Sequence, residues 1–300
     1  MSTIRIWIKA FRLRTLPLAM SATILGSFLA YANDAFKWAV FILGLITTLC
    51  LQILSNLAND YGDAIKGTDS AERLGPLRVT QTGLVSRKQM RGMILLFVIL
   101  SFVSGSLLIY FGLADNGSLL YLLFFLFGIT AIVAAVKYTI GKNPYGYAGL
   151  GDVMVFIFFG IMGVSGTYFL HSLSFSWSIL LPASAIGLFS VGVLNLNNLR
   201  DRENDRANGK MTLVVRMGHS WAVRYHVMLL IAGFFLSLIY TLTNYQSVYQ
   251  FLFILALPLV VSDINKVIIN TVPVELNAEL KKLALATLIF SLSFGIGLIL

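Results

Sequence analysis

Four aspartates and three asparagines in this sequence are spaced to bind a divalent cation. Asn56, Asn59, Asp60 and Asp63 sit at i, i+3, i+4 and i+7, which is one face of a helix. Asn198, Asp201 and Asp205, at i, i+3 and i+7, repeat the pattern much later. Each set closes a long apolar run; the first run spans Phe36 to Leu54. The C-terminal end of a helix is already negative, so an unpaired acid there is disfavoured by about 0.3–1 kcal/mol. A carboxylate at a bilayer centre costs about 2.5–3.5 kcal/mol on insertion scales. Something positive must compensate. Mg²⁺ suits the role, because it takes one or two carboxylates together with phosphate oxygens. Two such ions can clamp a leaving diphosphate. The plainer reading makes these acids solvated loop residues paired with Lys66, Arg200 and Arg202. Two matched clusters with asparagine partners weigh against it. The expected metal ligands are therefore Asp60, Asp63, Asp201 and Asp205, holding two magnesium ions.

Cations follow the acids in sequence. Arg73, Arg78, Lys142, Arg200 and Lys210 lie in the polar segments beyond the apolar runs. Arginine forks bind phosphate oxygens well. Topology alone also explains lysine and arginine at such places. The segments Glu72 to Arg78 and Asn208 to Thr212 carry Gly or Pro punctuation and are the better phosphate candidates. Tyr138 and Lys142 are i, i+4 and share a face if their helix continues; otherwise they read as an interface anchor. Asp152, in Gly149-Leu-Gly-Asp152, reads as an N-cap. Asp263 reads as a further polar anchor. Cys50 reads as a packing residue. His171, His219 and His226 are scattered and make no metal cluster.

These residues must be positioned by a membrane bundle. The 300 residues are 58% hydrophobic and only 12% charged, with a mean hydropathy of +0.84; soluble domains carry about 25% charged residues. Nine apolar runs are long enough to span a bilayer, at about 16–32, 36–59, 90–113, 117–137, 152–171, 176–198, 220–242, 247–266 and 278–300. A basic, bulky segment at 3–14 precedes them and suits an interfacial helix. It has no small-residue cleavage site, so the first span is retained. With the N-terminus in the cytoplasm, all but Lys37 of the 22 lysines and arginines fall on the cytoplasmic side. That accounts for the net charge of +9 without a nucleic-acid partner. The acidic ends of spans two and six fall on that side too. Four spans separate them, so both helices descend in parallel, and repeat-built membrane folds place sites between such halves. The expectation is an all-α protein in one domain, 1–300. Nine helices surround a central cavity open to the cytoplasmic side, with active-site loops at 60–89 and 199–218.

The chain resembles the UbiA-type intramembrane prenyltransferases over nearly its whole length. The paired motifs Asn59-Asp-Tyr-Gly-Asp63 and Asp201-Arg-Glu-Asn-Asp205 carry the resemblance. Tyr138 and Lys142 match the family's Tyr-x-x-x-Lys. Further pointers are Arg12 to Pro17, Gly75 to Gly83, Asn143 to Asp152 and Gly209 to Gly218. Within the family they point to the branch that prenylates 1,4-dihydroxy-2-naphthoate. Many relatives carry a third acid four residues after the second; here that position is Gly67, and the acid comes at Asp69. Asp69 is not assigned as a ligand.

The resemblance implies Mg²⁺-dependent transfer of a polyprenyl group from polyprenyl diphosphate to 1,4-dihydroxy-2-naphthoate. The ring carboxylate is lost, and demethylmenaquinone forms in a bacterial inner membrane among its lipids. It implies that Asn56, Asn59, Arg78, Asn198, Arg200 and Lys210 serve the diphosphate, that Tyr138 and Lys142 are catalytic, and that Arg14 positions the acceptor. The nearest rival is the same chemistry on 4-hydroxybenzoate or another aromatic. A divalent-cation transporter is remoter, since it needs acids deep in the spans. An alcohol phosphatidyltransferase would carry a different Asp motif, which this sequence lacks.

Overall fold

The computed structural model describes residues 3–67, 74–76, 78–113 and 117–300. Among the described residues there is no strand, and nine helices are long and apolar enough to cross a membrane. They fit a polytopic membrane protein. Span one is Leu16–Tyr31. The others are Trp38–Lys66, Arg87–Leu113, Ser118–Lys137, Gly151–Ser172, Trp177–Arg200, His219–Thr243, Val248–Ile269 and Pro273–Ile299. Thr3–Phe11 forms the preceding helix. It exposes Ile4 and Ile8 and packs Trp7 and Phe11 against spans two and three.

The spans differ sharply in burial. Span six is sheathed by others along most of its length. Its Ile186, Phe189 and Leu196 share a core with Leu25 and Leu29 of span one and Leu283 and Phe290 of span nine. Phe189 meets Phe290 edge-on at 5.0 Å. Span four lies at the periphery, buries only Ala134 and turns its leucines and phenylalanines outward. Spans five and six touch backbone to backbone. A Cβ on Gly160 would fall 2.6 Å from the Gly187 α-carbon, so only glycine allows this crossing. Around that contact, Phe156–Gly166 winds as a π-helix inside span five.

Lys37, the one cation that breaks the topological pattern, has a local task. Its ammonium donates to the carbonyls of Gly112 (3.0 Å) and Leu170 (3.3 Å), which end spans three and five. Positive charge is favoured at helix C-termini. Burial lowers its pKa from the ordinary lysine value. Its backbone N–H donates to His171 Nδ1, and His171 Nε2 meets Ser27 Oγ at 2.9 Å.

Three boundaries differ from the sequence reading, each at a motif. Span two does not stop at 59 but runs to Lys66, so Asp60 and Asp63 are helical rather than in a loop. The apolar run ends earlier because one face turns polar where it is covered. Gly67, at φ 73, ends the helix, and its N–H bonds the Asp63 carbonyl. Span six breaks at Asp201 (φ −95, ψ 8), and a short helix, Arg202–Ala207, follows. Span four stops at Lys137, and Tyr138 and Lys142 lie in a turn rather than on one helical face. Gly141, at φ 114, is incompatible with continued helix.

Candidate active site

The first acidic motif is buried at the end of span two, where Asn56, Asp60 and Asp63 are each at most 4% exposed. Asn56 donates to the Phe11 carbonyl and to Thr15 Oγ1, both at 3.0 Å, and so fastens the N-terminal segment to span two. Asn59 Oδ1 accepts from Thr139 Oγ1 at 3.2 Å. Thr139 reaches in because residue 62 is glycine; a Cβ there would lie 2.7 Å from its hydroxyl. Asp60 accepts from Thr80 Oγ1 at 2.8 Å. Asp63 accepts from Tyr147 Oη at 2.7 Å and pairs with Arg78 at 2.6 Å. Arg78 also donates to the Asn59 carbonyl. Glu72, Arg73 and Asp69, in the same connection, lie outside the described residues.

The second motif is held by its own neighbours. Arg200 grips Asp201 with two hydrogen bonds, Nε to Oδ1 at 2.9 Å and Nη2 to Oδ2 at 2.5 Å. Its other contacts go to Asn197 and Asn277, both at 2.8 Å. This arginine, expected at the diphosphate, therefore faces protein partners and orients Asp201. Lys210 reaches Asp205 Oδ1 at 3.3 Å. Asp205 Oδ2 and Asn198 Oδ1 are buried without a hydrogen-bond partner. Such unmet acceptors cost about 1–3 kcal/mol each. Burial pushes the Asp205 pKa up to about 6; Lys210 opposes this, while Asp201 and Asp63 add to it. Arg14 is half-buried within electrostatic reach of Arg200 and Asp201.

Tyr147 joins the two motifs. Its hydroxyl is on Asp63, while Lys210, which holds Asp205, lies over its ring at 5.8 Å. Lys66 covers the same ring at 4.2 Å. The Tyr147 carbonyl accepts from the Met211 N–H at 3.0 Å, and Arg216 donates to the Ala148 carbonyl at 3.0 Å. Gly149, at φ 78, makes the turn that permits this docking. Tyr138 stands alongside, edge-on to Tyr145 at 5.3 Å. Burial, then the carboxylates of Asp152, Asp205 and Asp63, raise its pKa, so its hydroxyl stays a donor. Lys142 is exposed.

Among the described residues no three His, Cys, Asp or Glu side chains are gathered as a metal site, but the second motif offers oxygens of the kind a hard divalent cation takes. Asn198 Oδ1 and Asp205 Oδ2 are oxygens lacking a partner, beside the carboxylates of Asp201 and Asp63. Reasoning from the sequence missed Tyr147, Thr80 and Thr139. Tyr147 and Thr80 fall inside segments that carried the resemblance, but their spacing to the acids gave no signal. Asp263 is no interfacial anchor, because it is fully buried against His226, Nε2 to Oδ2 at 2.7 Å. Asp152 does not cap its helix, whose N-cap is Leu150.

The model of the UbiA prenyltransferase family matches residues 19–267. The chain is 44% identical over 299 residues to 1,4-dihydroxy-2-naphthoate octaprenyltransferase of Haemophilus influenzae, covering 99% of this chain and 96% of that one. It is 41% identical over 297 residues to the Escherichia coli protein of the same name, covering 98% and 95%. Its fold is similar to that of a UbiA homologue from Archaeoglobus fulgidus bound to DMAPP and Mg²⁺. The TM-score is 0.62 at 16% identity, over 97% of this chain and 99% of that one.

Proposed function

The chain belongs to the UbiA prenyltransferase family, and on that footing we propose that it transfers a polyprenyl group from its diphosphate to 1,4-dihydroxy-2-naphthoate, releasing the ring carboxylate as carbon dioxide and giving demethylmenaquinone in its reduced, quinol form. Near-full-length similarity to two octaprenyltransferases named for that acceptor supports the reading. The observation that carries it is the contact chain Asp63–Tyr147–Lys210–Asp205, which brings two distant acidic motifs to one place.

Asp60 and Asp63 would hold one magnesium ion, and Asp201 and Asp205 would hold a second. Asn56, Asn59 and Asn198 orient or complete these ligand sets. When bound, the ions neutralise the diphosphate and make it a leaving group. Arg78, Lys142 and Lys210 take diphosphate oxygens, and Tyr138 donates a hydrogen bond. Arg200 acts by fixing Asp201. Arg14 meets the acceptor's carboxylate. The bundle shields the allylic centre from water while the electron-rich ring attacks it. The site opens to the cytoplasm from the inner membrane, where lipid surrounds the nine spans. The N-terminus is cytoplasmic, as the distribution of cations supports.

The test is mass-spectrometric identification of the product made by the purified protein from a polyprenyl diphosphate, 1,4-dihydroxy-2-naphthoate and Mg²⁺. Asp60→Ala and Asp201→Ala are each expected to lower transfer by about 100-fold or more. Turnover near wild type in either ends the assignment.

A further inference from the structure

Asp152 is a buried carboxylate that the metal site leaves unused. It stands in the first turn of span five and is 5% exposed. Among the described residues no cation pairs with it. Tyr225 of span seven lies within electrostatic reach of its carboxylate. Tyr225 is backed by Trp221, stacked at 4.7 Å. A carboxylate has about four acceptor sites, more than a single tyrosine hydroxyl fills.

Its place relative to the diphosphate site is defined by its neighbours. Gly151 lacks a Cβ where Tyr138 Oη and Leu194 Cδ2 approach, each 3.3 Å from the missing atom. Leu194 is one turn before Asn198 on span six, so the start of span five at Gly151 packs about one helical turn membrane-ward of Asn198. Tyr138 lies within electrostatic reach of Asp152 as well as of Asp63 and Asp205. Asp152 therefore borders the site on its membrane-ward side, where an apolar ring must stand to meet the allylic carbon. The titratable groups facing it are Tyr138, from the turn after span four, and Tyr225, from span seven; span six presents Leu194. Neither tyrosine can take a proton.

We propose that Asp152 is the catalytic base that receives a ring-hydroxyl proton from the aromatic acceptor. The inference rests on the prenyl-transfer reading above. As the ring carbon bonds the allylic carbon, the C–O electron pair leaves with the diphosphate and the hydroxyl proton passes to the Asp152 carboxylate. Loss of the ring carboxylate as carbon dioxide returns an electron pair to the ring, and the proton goes back to the ring oxygen. The product is the quinol, and no oxidant enters the step.

Asp152→Asn keeps the shape of the side chain but cannot take the proton. With polyprenyl diphosphate, Mg²⁺ and 1,4-dihydroxy-2-naphthoate, the expected result is a kcat lower by about 100-fold. The wild type is expected to lose rate toward acid pH, and the variant is expected not to. Mg²⁺-dependent binding of the prenyl diphosphate should be unchanged, and an acceptor with a more acidic hydroxyl should recover part of the rate. A kcat within about threefold of wild type, or equal loss of diphosphate binding, overturns the assignment. If the wild type prenylates a different hydroxylated aromatic, the acceptor in the functional reading is wrong and Asp152 is judged by the same comparison on that compound. If the wild type transfers to no aromatic, both readings fall.

Discussion

Asp60 and Asp63 stand on one unbroken helix and lean on residues from distant parts of the chain, whereas Asp201 and Asp205 straddle a helix break and, among the described residues, meet side chains one and five residues away. Thr80, Arg78 and Tyr147 fasten the first pair. Arg200 and Lys210 fasten the second, one and five residues away. The two motifs look alike as sequence, but their preorganisation has different sources. The first depends on two connecting segments docking onto span two. The second is fixed chiefly by adjacent side chains among the described residues and retains unmet buried acceptors, Asn198 Oδ1 and Asp205 Oδ2. A cation should therefore stabilise the second motif more than the first, and damage to remote contacts should reach the first motif more than the second.

The largest expected effect is at Asp205. Asp205→Asn should lower transfer by about 100-fold. It should also raise the Tm measured without Mg²⁺, because it removes a buried charge that lies beside Asp201 and Asp63. A lower Tm would mean that Asp205 is well satisfied in the metal-free protein and would erase the contrast. Next is Tyr147→Phe, which deletes the hydroxyl on Asp63 and leaves the ring under Lys210. Partners that orient metal ligands are worth about 10–100-fold, and a loss near the lower figure is expected. Unchanged activity would show that the link between the motifs is not used.

The smallest effect is a pH dependence. Asp205 titrates at about 6, above its unfolded value, so the folded state favours its protonated form. The associated stability is fully present below the ordinary aspartate value and is lost as pH rises through about 6. Below pH 6 an incoming cation must displace this proton. Apparent Mg²⁺ affinity in calorimetry should then rise with pH up to about 6 and level off as far as this group is concerned. Affinity that falls over that interval would contradict the assignment of Asp205 as a ligand.

Much of this architecture was legible as sequence, because lipid imposes simple rules. Long apolar runs gave nine spans, each matched by a helix of sufficient length. The helical spacing of Asn56, Asn59, Asp60 and Asp63 was legible for the same reason, although the helix carrying them runs to Lys66. The break at Asp201 was not, since spacing assumes an unbroken helix. The i, i+4 relation of Tyr138 and Lys142 failed where Gly141 left helical space. Tyr147 could not be found from local pattern at all. Its contact with Asp63 bridges 84 residues and depends on Gly149 and Met211 docking two loops together.

The central claim is that both acidic motifs serve one diphosphate. The most direct measurement is the anomalous scattering of Mn²⁺ in crystals grown with a non-hydrolysable prenyl thiodiphosphate. The account predicts metal density between Asp60 and Asp63 on one side and Asp201 and Asp205 on the other, with the diphosphate analogue bridging them. Metal bound at only one pair, or at two places with no shared diphosphate, would contradict it.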